Sequence, residues 1–513
     1  MREIELKVLI GAERAKDLAA LLPGLDMIRG EPRQNALHSI YFDTPEGILR
    51  HEKMALRLRH DGERWLQTVK WRGQLAGGLS KAEEDEQEIE TDTISFEVIQ
   101  NQKLRKKIKR LIPEPQILIP VLETKIQRHG FDVELNGTRA VLALDNGEIH
   151  ASGKSAPLHE LEIELVEGAP RDLYEIARFL LPDGGFRPSR YSKAARGFML
   201  LDEGCIEPAV IPRKAFPVPL DPEESCEKAL RAMLRECFDQ LCANIEAVRL
   251  LEAPEGPHQL RIGLRRLRSA LAFAGEPEDG QDSFDLESLR EECRWLGREV
   301  GRLRDLDVIC TQIIPQEAAA HPEETGFDLL RTSIGEQAGA VRGILRLILT
   351  GPRVQDLLIT LAQFIETGRL TGDAGGERSF SDAARKALNK RWKRVIQRAG
   401  RIDMLDLEQR HALRKELKKL RYSLEFSAPL LPEKATSRFL GKLRALQVVF
   451  GDLNDATMVE ALLTQPPFRD MKDISTQRAI GRILGARQHK AQESWDHARE
   501  LWDALIACKL PWD

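Results

Sequence analysis

The chain has 513 residues, 42% of them hydrophobic and 31% charged, with 77 Lys and Arg against 81 Asp and Glu for a net charge of −4. That length allows two to four domains with sizeable cores, and the near-neutral balance excludes a generic nucleic-acid binder. Residues 1–200 hold 30 basic and 32 acidic side chains, so anion affinity in either half has to come from local clusters.

The first element is Glu3-Ile4-Glu5-Leu6-Lys7. Its period of two puts Glu3, Glu5 and Lys7 on one strand face and Ile4, Leu6 and Val8 on the other. One such face is ordinarily the wet side of a sheet. A lumen becomes the better reading if other strands repeat the pattern with the opposite charge. Residues 56–70 read as a hairpin turning at Asp61-Gly62. A two-residue turn would set Arg59 opposite Arg64 and Arg57 opposite Leu66, with Arg57, Arg59 and Lys70 on one face. Cations so close need solvent or an anion between them. Glu84, Glu86 and Glu88 form an acidic row, but Glu83 and Asp85 make the other face acidic too, and the segment reads as solvated. The run Lys103–Arg110 also reads as a solvated helix. In residues 159–165, Glu160, Glu162 and Glu164 share a face and repel one another unless water or a cation intervenes. Together these strands favour a closed barrel with charged inner walls, packed outside by helices. Carboxylates there would suit Mg2+ or Mn2+, and Arg and Lys would suit phosphate oxygens.

The ordered set Glu3-x-Glu5-x-Lys7, Tyr41-Phe42-Asp43-Thr44, Leu56-Arg57-Leu58-Arg59, Thr68-Val69-Lys70, Thr124 with Arg128, Ala143-Leu144-Asp145-x-Gly147, Glu160-x-Glu162-x-Glu164 and Ser192–Gly197 resembles the CYTH superfamily of triphosphate tunnel metalloenzymes over residues 1–201. The resemblance implies an eight-stranded antiparallel tunnel that binds and hydrolyses a linear triphosphate. It implies that Glu3, Glu5, Glu160, Glu162 and Glu164 coordinate Mg2+ or Mn2+. Lys7, Arg57, Arg59, Lys70, Arg128, Lys193 and Arg196 would contact phosphate, with Glu3, Glu5 and Lys7 the catalytic set. One metal would clamp the triphosphate and another would orient water. Ala82 and Val141 stand where the family pattern has an arginine and often a glutamate.

Residues 202–221 read as a linker, since Pro208, Pro212, Pro217 and Pro219, with Pro222 just beyond, fix φ and remove amide donors. Beyond it, residues 222–513 follow helical periodicity. This half repeats itself. His258–Arg268 matches His411–Arg421 at an offset of 153 residues, and Gly301–Asp305 matches Gly451–Asp455 at 150, so a duplicated helical bundle is expected. At about 100° per residue, His258, Arg261, Arg265 and Arg268 share one face, and His411, Arg414, Lys418 and Arg421 share one face in the second copy. Leucines line the opposite sides. Repeated one-sign stripes cost helix stability unless an anion is bound. Residues 385–401 add a basic run without an acid.

These repeats, with Arg304-Asp305-Leu306-Asp307 and Leu420-Arg421-Tyr422, resemble the CHAD domain over residues 222–513. The resemblance implies binding of inorganic polyphosphate by the eight stripe residues. The expectation is therefore a multidomain chain: an antiparallel eight-stranded tunnel with flanking helices (α+β), then an all-α duplicated bundle. The expected activity is metal-dependent inorganic triphosphatase. The rivals are a thiamine triphosphatase, a class IV-type adenylate cyclase, and a non-catalytic polyphosphate binder. Seven scattered cysteines without a CxxC pair point to reduced thiols and a cytoplasmic location, with polyphosphate granules a candidate site. No apolar run reaches membrane length, no protein partner is evident, and the lack of an aromatic stacking platform argues against nucleic acid.

Overall fold

The computed structural model describes residues 2–274, 285–371 and 379–513. It divides into two units, Met1–Ala209 with Thr350–Gly368, and Val210–Leu349 with Arg369–Asp513.

The first unit is a closed antiparallel barrel. Its strands are β1 (Arg2–Leu9), β2 (Ile28–Asp43), β3 (Met54–His60), β4 (Trp65–Ala76), β5 (Leu79–Ile89), β6 (Ile119–Leu135), β7 (Thr138–Ala151) and β8 (Lys154–Glu167). The spatial order is β5-β4-β3-β2-β6-β7-β8-β1, and β5 pairs with β1 to close the ring. A short β9 (Arg187–Pro188) adds to β1. Closure removes both sheet edges and gives every strand an inner and an outer face. The helices of this unit are α1 (Ala12–Leu21), α2 (Ile48–His51), α3 (Gln102–Leu111), α4 (Asp172–Leu180), α5 (Lys193–Glu203) and, from much later in the chain, α11 (Pro352–Thr367).

The period-two pattern of the first strand decides the facing. Leu6 and Val8 are wholly buried outside the barrel wall, so Glu5 and Lys7 point into the lumen. On β3 and β4, Leu56, Leu58 and Val69 pack outward with Leu104 and Ile108 of α3. The 103–110 run is thus half core, while Arg105 and Lys109 pair with Glu97 at its surface.

The hairpin register differs from the expected one by two residues. His60 pairs with Trp65, Arg59 with Leu66 and Arg57 with Thr68. The turn has four residues because the Asp61 carboxylate accepts the amides of Glu63 and Arg64, at 3.2 and 3.1 Å. A shift of two keeps the faces unchanged, so Arg57 and Arg59 still share theirs with Lys70.

At one end the lumen turns apolar. Leu37, Tyr41, Leu122, Ile126, Ile149 and Leu158, inner-face residues by their register, cluster with Leu200 of α5. A Cβ on Gly197 would come within 2.6 Å of Leu122, so this glycine lets α5 seat deeply. Helix α11 packs on α4. Gln363 donates to Glu175 at 2.8 Å, and Arg178 reaches Thr360 at 3.2 Å.

The second unit is all-helical, with α6 (Cys226–Leu250), α7 (Glu255–Leu271), α8 (Leu286–Val308), α9 (Ile314–Ala320), α10 (Gly326–Thr350), α12 (Phe380–Ala399), α13 (Leu407–Ser427), α14 (Glu433–Leu463), α15 (Ile474–Asp496) and α16 (Ala498–Ile506). The duplication is visible in the helices: α6-α7-α8 and α12-α13-α14 recur at the sequence offset, each helix packed on the next. Leu260, Leu264 and Leu267 of α7 and Leu413, Leu417 and Leu420 of α13 are buried. The proline-rich segment docks on α6, where Arg213 pairs with Glu236 at 2.6 Å and its backbone exchanges hydrogen bonds with Asn244. Among the described residues no helix is long and apolar enough to cross a membrane.

Candidate functional site

The charged part of the lumen is a cavity of about 590 Å3. Glu3, Glu5 and Lys7 of β1, Arg57 and Arg59 of β3, Lys70 of β4, Arg128 of β6, Glu162 and Glu164 of β8 and Lys193 of α5 all line it. Five strands and one helix N-terminus thus bring together residues spread over nearly 200 positions.

Two of the expected residues do not reach the cavity. Glu160 shares the inward face of Glu162, but it is wholly buried and ion-paired with Lys193 at 2.9 Å. Arg196 is 2% exposed and points to the Tyr191 carbonyl, Ser189 Oγ and Glu207, at 3.4, 3.2 and 3.0 Å. Both hold α5 and its flanking turn in place.

One wall carries a dense charge network. Lys7 contacts Glu162 and lies 2.8 Å from Glu5. Burial alone would lower the Lys7 pKa, yet Glu162, Glu5 and Glu160 outweigh it and hold the ammonium well above its ordinary value. Lys193 reaches Glu162, Asp145 and Glu160 at 2.6, 2.9 and 2.9 Å. Arg128 forks onto Asp145 at 2.7 and 2.6 Å and touches Glu162 at 2.7 Å. Burial would raise the Glu162 pKa, but Lys193, Lys7 and Arg128 drive it well below the ordinary carboxylate range. Glu162 thus stays ionised and anchors those three cations.

The opposite imbalance holds at Glu164. Burial, then Glu3 and Glu5, push its carboxyl up to about 7 against the pull of Lys70. Such mutual repulsion is what a divalent cation relieves, and hard oxygen donors fit Mg2+ or Mn2+. Glu3, Glu5 and Glu164 are therefore the residues that would hold a metal. Their side chains are not drawn around one point: among the described residues no three acidic, histidine or cysteine groups form a ligand cluster, and Lys70 engages Glu3 at 2.8 Å.

Across the cavity Arg57 donates to Thr68 Oγ1 and Glu86, both at 3.3 Å. Burial tends to lower its pKa, but Tyr41, Glu86 and Glu84 raise it overall. Arg59 donates to Ser39 Oγ at 3.2 Å. Burial, then Arg57 and Arg128, lower it to about 10. A guanidinium destabilised by its surroundings is relieved by an incoming anion. Ala82 lines the cavity opposite Glu3, and Val141 pairs with Glu164 on β7.

Glu84 and Glu86 correct the sequence reading, for both line the cavity. Alternation should have placed them inside, but acidic neighbours concealed it. Asp85 faces the other way for a structural reason, accepting the Asn101 amide at 2.7 Å and that of Gln100 at 3.3 Å. Glu83 pairs with Arg72 at the surface. Tyr41 and Thr68 also line the cavity. Burial would raise the Tyr41 pKa, but Arg57, Arg59 and Lys193 lower it overall.

The second unit contains a cavity of about 1040 Å3 whose lining includes thirteen Lys and Arg side chains and, among the described residues, no Asp or Glu. The two stripes meet there: Arg261, Arg265 and Arg268 of α7 face His411, Arg414 and Lys418 of α13. Sequence reasoning missed Arg290, Arg294 and Arg298 of α8, whose spacing of four was a usable signal. The basic run of α12 supplies Lys390, Arg391 and Arg394. His258 and Arg421 fall outside the lining. Arg421 lies over the Tyr422 ring at 4.9 Å, and burial and Arg304 lower the His258 pKa. Burial followed by Arg265, Arg414 and Arg261 pushes Lys418 down to about 6. Burial, Arg265 and Arg261 push Arg414 to about 10.

A closed antiparallel tunnel with facing carboxylates and guanidinium groups, carried with an all-helical unit built around an acid-free cationic cavity, defines a two-domain protein class. The chain carries a CYTH domain at residues 1–198 and a CHAD domain at residues 232–464, and it belongs to these two families. The Haemophilus influenzae inorganic triphosphatase is 30% identical over 205 residues, which are 39% of this chain and 55% of that protein, so the chain spans about half the length of that relative. The crystal structure of the CHAD domain from the plant Ricinus communis is 30% identical with a TM-score of 0.50, covering 59% of this chain and 99% of that one. An uncharacterized Mycobacterium tuberculosis protein is 24% identical over 464 residues, 84% of this chain and 82% of its own length.

Proposed function

We propose that the tunnel hydrolyses inorganic triphosphate with Mg2+ or Mn2+, and that the basic cavity of the helical unit binds inorganic polyphosphate. The observation that carries the first part is the presence of both unrelieved charges in one cavity: Glu164, beside Glu3 and Glu5, is pushed up to about 7, and Arg59, beside Arg57, is pushed down to about 10. A linear phosphate with a divalent cation satisfies both walls at once. When bound, the metal supplies Lewis-acid polarisation and a water of lowered pKa. Arg57, Arg59 and Lys70 bind and orient phosphate oxygens and stabilise charge on the transferred group. Lys7 is held between Glu5 and Glu162, so its proton stays fixed at Nζ. Lys193 and Arg128 brace the wall beneath. The similarity to an inorganic triphosphatase supports this choice over thiamine triphosphate or ATP.

For the helical unit, the support is the absence of acids among the described residues lining thirteen cations. The functional layout follows as a tunnel at 1–201, a linker at 202–221 and a polyanion binder at 222–513. Seven cysteines, none in a disulfide, suit the reducing cytoplasm, with polyphosphate granules as a site of action.

Phosphate release from tripolyphosphate, thiamine triphosphate and ATP, each with Mg2+ or Mn2+, tests the reading. Full-length protein should favour tripolyphosphate, chelation should abolish release, and Glu5→Ala should remove it. No release by wild type under either metal sinks the hydrolytic reading. Polyphosphate retention that survives combined Arg261, Arg265, Arg414 and Lys418 replacement by Ala sinks the second.

A further inference from the structure

Helix α12 presents cations in two directions. Ala387, Lys390, Arg391 and Arg394 line the cationic cavity. Lys386, Asn389, Lys390, Lys393, Arg394 and Gln397 line a separate hollow of about 440 Å3 on the outer face of the same helix. Lys390 and Arg394 belong to both and form the sill between them. At about 100° per residue, Arg391, Arg394, Lys390 and Lys393 follow one another around the helix from the cavity side outward. Lys386, Lys390, Lys393 and Arg394 are exposed, and among the described residues none of them has an ion-pair partner. Residues 385–401 contain no acid. The other helices around the cavity differ. On α8 and α13 acids stand beside the lining: Asp305 pairs with Arg261 at 2.9 Å, Glu287 with Arg294 at 2.9 Å, and Glu416 with Lys419 at 2.8 Å. On α14, Asp452 and Asp455 flank the lining residue Asn454. Helix α7 has no exposed residue between Gly256 and Leu271.

We propose that a long polyphosphate chain leaves the cationic cavity across Lys390 and Arg394 and continues along the outer face of α12, where Lys386 and Lys393 hold it. The inference rests on the polyphosphate reading of the cavity and deepens it into a preference for chain length. Such a polymer is charged at every phosphate, so the part outside the cavity still gains from cations and is repelled by acids. Across α8, α13 or α14 it would meet carboxylates, and α7 offers no outer face. Helix α12 alone continues the acid-free lining to the surface. From Lys386 to Gln397 that path is about 16 Å long. Like charges three and four residues apart weaken a helix, and phosphates laid along Lys386, Lys390 and Lys393 relieve them. Nucleic acid fits this face less well. Trp392, the one aromatic residue in 385–401, packs its ring against Phe439 and Trp502 in the core, so the face has no stacking platform.

A short chain stays within the cavity, so chain length separates the two surfaces. Binding of end-labelled long-chain polyphosphate to the full-length protein is measured in EDTA over a range of salt concentrations. Tripolyphosphate is measured by its inhibition constant against that label. In the double variant Lys386→Ala with Lys393→Ala, long-chain affinity should fall about tenfold, and the slope of log affinity against log salt should flatten by about one to two for the two lost phosphate contacts. The tripolyphosphate inhibition constant should not change, which also verifies the fold. Lys434 and Arg438 of α14 are exposed and line neither hollow. Their joint replacement by Ala removes the same charge and should leave both ligands as in wild type. Unchanged long-chain binding in the α12 variant overturns the proposal and leaves the cavity reading standing. So does an equal loss in the α14 variant, or an equal loss for tripolyphosphate. A loss as large for a single-stranded oligonucleotide would reassign the face to nucleic acid. Failure of wild type to bind long-chain polyphosphate removes the reading beneath it.

Discussion

The amide of Phe186 donates to the Gln355 side-chain oxygen at 2.8 Å, joining residues 169 positions apart. Both are buried, at 4% and 5% exposure. This bond fixes α11 to the tunnel unit, although the chain on either side of α11 belongs to the helical unit. Gln355→Leu would leave the Phe186 N–H buried without an acceptor, at a cost of about 1–3 kcal/mol. Thermal unfolding of the full-length variant should show the loss in the transition of the tunnel unit, and an unchanged profile refutes the role.

The turn between β4 and β5 touches both α11 and the lumen. A Cβ on Gly77 would meet Glu366 at 3.2 Å and Ala362 at 3.3 Å, and Gly78 accepts the Lys7 amide at 2.8 Å. Gly78 has φ +81, and a Cβ there would come within 2.9 Å of the Lys7 carbonyl oxygen. Gly78→Ala should therefore displace β1 at the residue that carries a lumen cation. Triphosphatase turnover should fall, together with a stability loss of about 1 kcal/mol or more. Full activity in a folded variant would show that Lys7 tolerates the shift.

Arg59 and Arg196 separate binding from folding. Arg59 lines the cavity, is lowered to about 10 by burial and by its cationic neighbours, and gains from an anion. Arg59→Ala should raise the KM for tripolyphosphate about tenfold or more, with little change in Tm. Arg196 lies behind the cavity on Tyr191, Ser189 and Glu207. Arg196→Ala should lower Tm while leaving KM near wild type. The reverse pattern would place Arg196 on the substrate.

Alternation along β1, β3 and β8 was readable because a strand assigns faces by parity alone. Closure into a barrel followed from the recurrence of those charged faces, but the pairing that makes it, Glu3 with Ala82, joins segments that sequence gives no reason to align. The hairpin slipped by two residues because the Asp61 side chain lengthened the loop, yet the face assignment survived. Glu160 was indistinguishable from Glu162 until Lys193 of α5 was seen against it. Asp85 hid Glu84 and Glu86 by being acidic for the sake of the Asn101 amide. Helix α11 looked like its helical neighbours. Its warning was a composition without one apolar stripe, for eleven of its sixteen residues are buried. In the helical unit each basic stripe was legible alone, whereas their meeting and the share of α8 depend on packing.

Lys418 gives the basic cavity a pH dependence of definite sign. Burial, with Arg265, Arg414, Arg261 and Arg421 around it, pushes its pKa down to about 6. In the unfolded chain a lysine titrates near 10.4, so between about pH 6 and 10 the unfolded state binds more protons. Stability of the ligand-free protein should therefore rise with pH across that window through this residue. A bound polyanion supplies the missing negative charge, restores the ammonium and makes binding take up a proton. Polyphosphate affinity should be highest near pH 6 and decline above it by up to about tenfold per pH unit. Burial, then Lys415, Arg414 and Lys418, already hold His411 below its ordinary value, so it contributes mainly at lower pH. In Lys418→Met the ligand-free protein should be more stable at pH 6 and the affinity profile above pH 6 flatter. Titration calorimetry in buffers of different ionisation enthalpy reads the proton uptake directly. Equal uptake in wild type and Lys418→Met would remove Lys418 as its source.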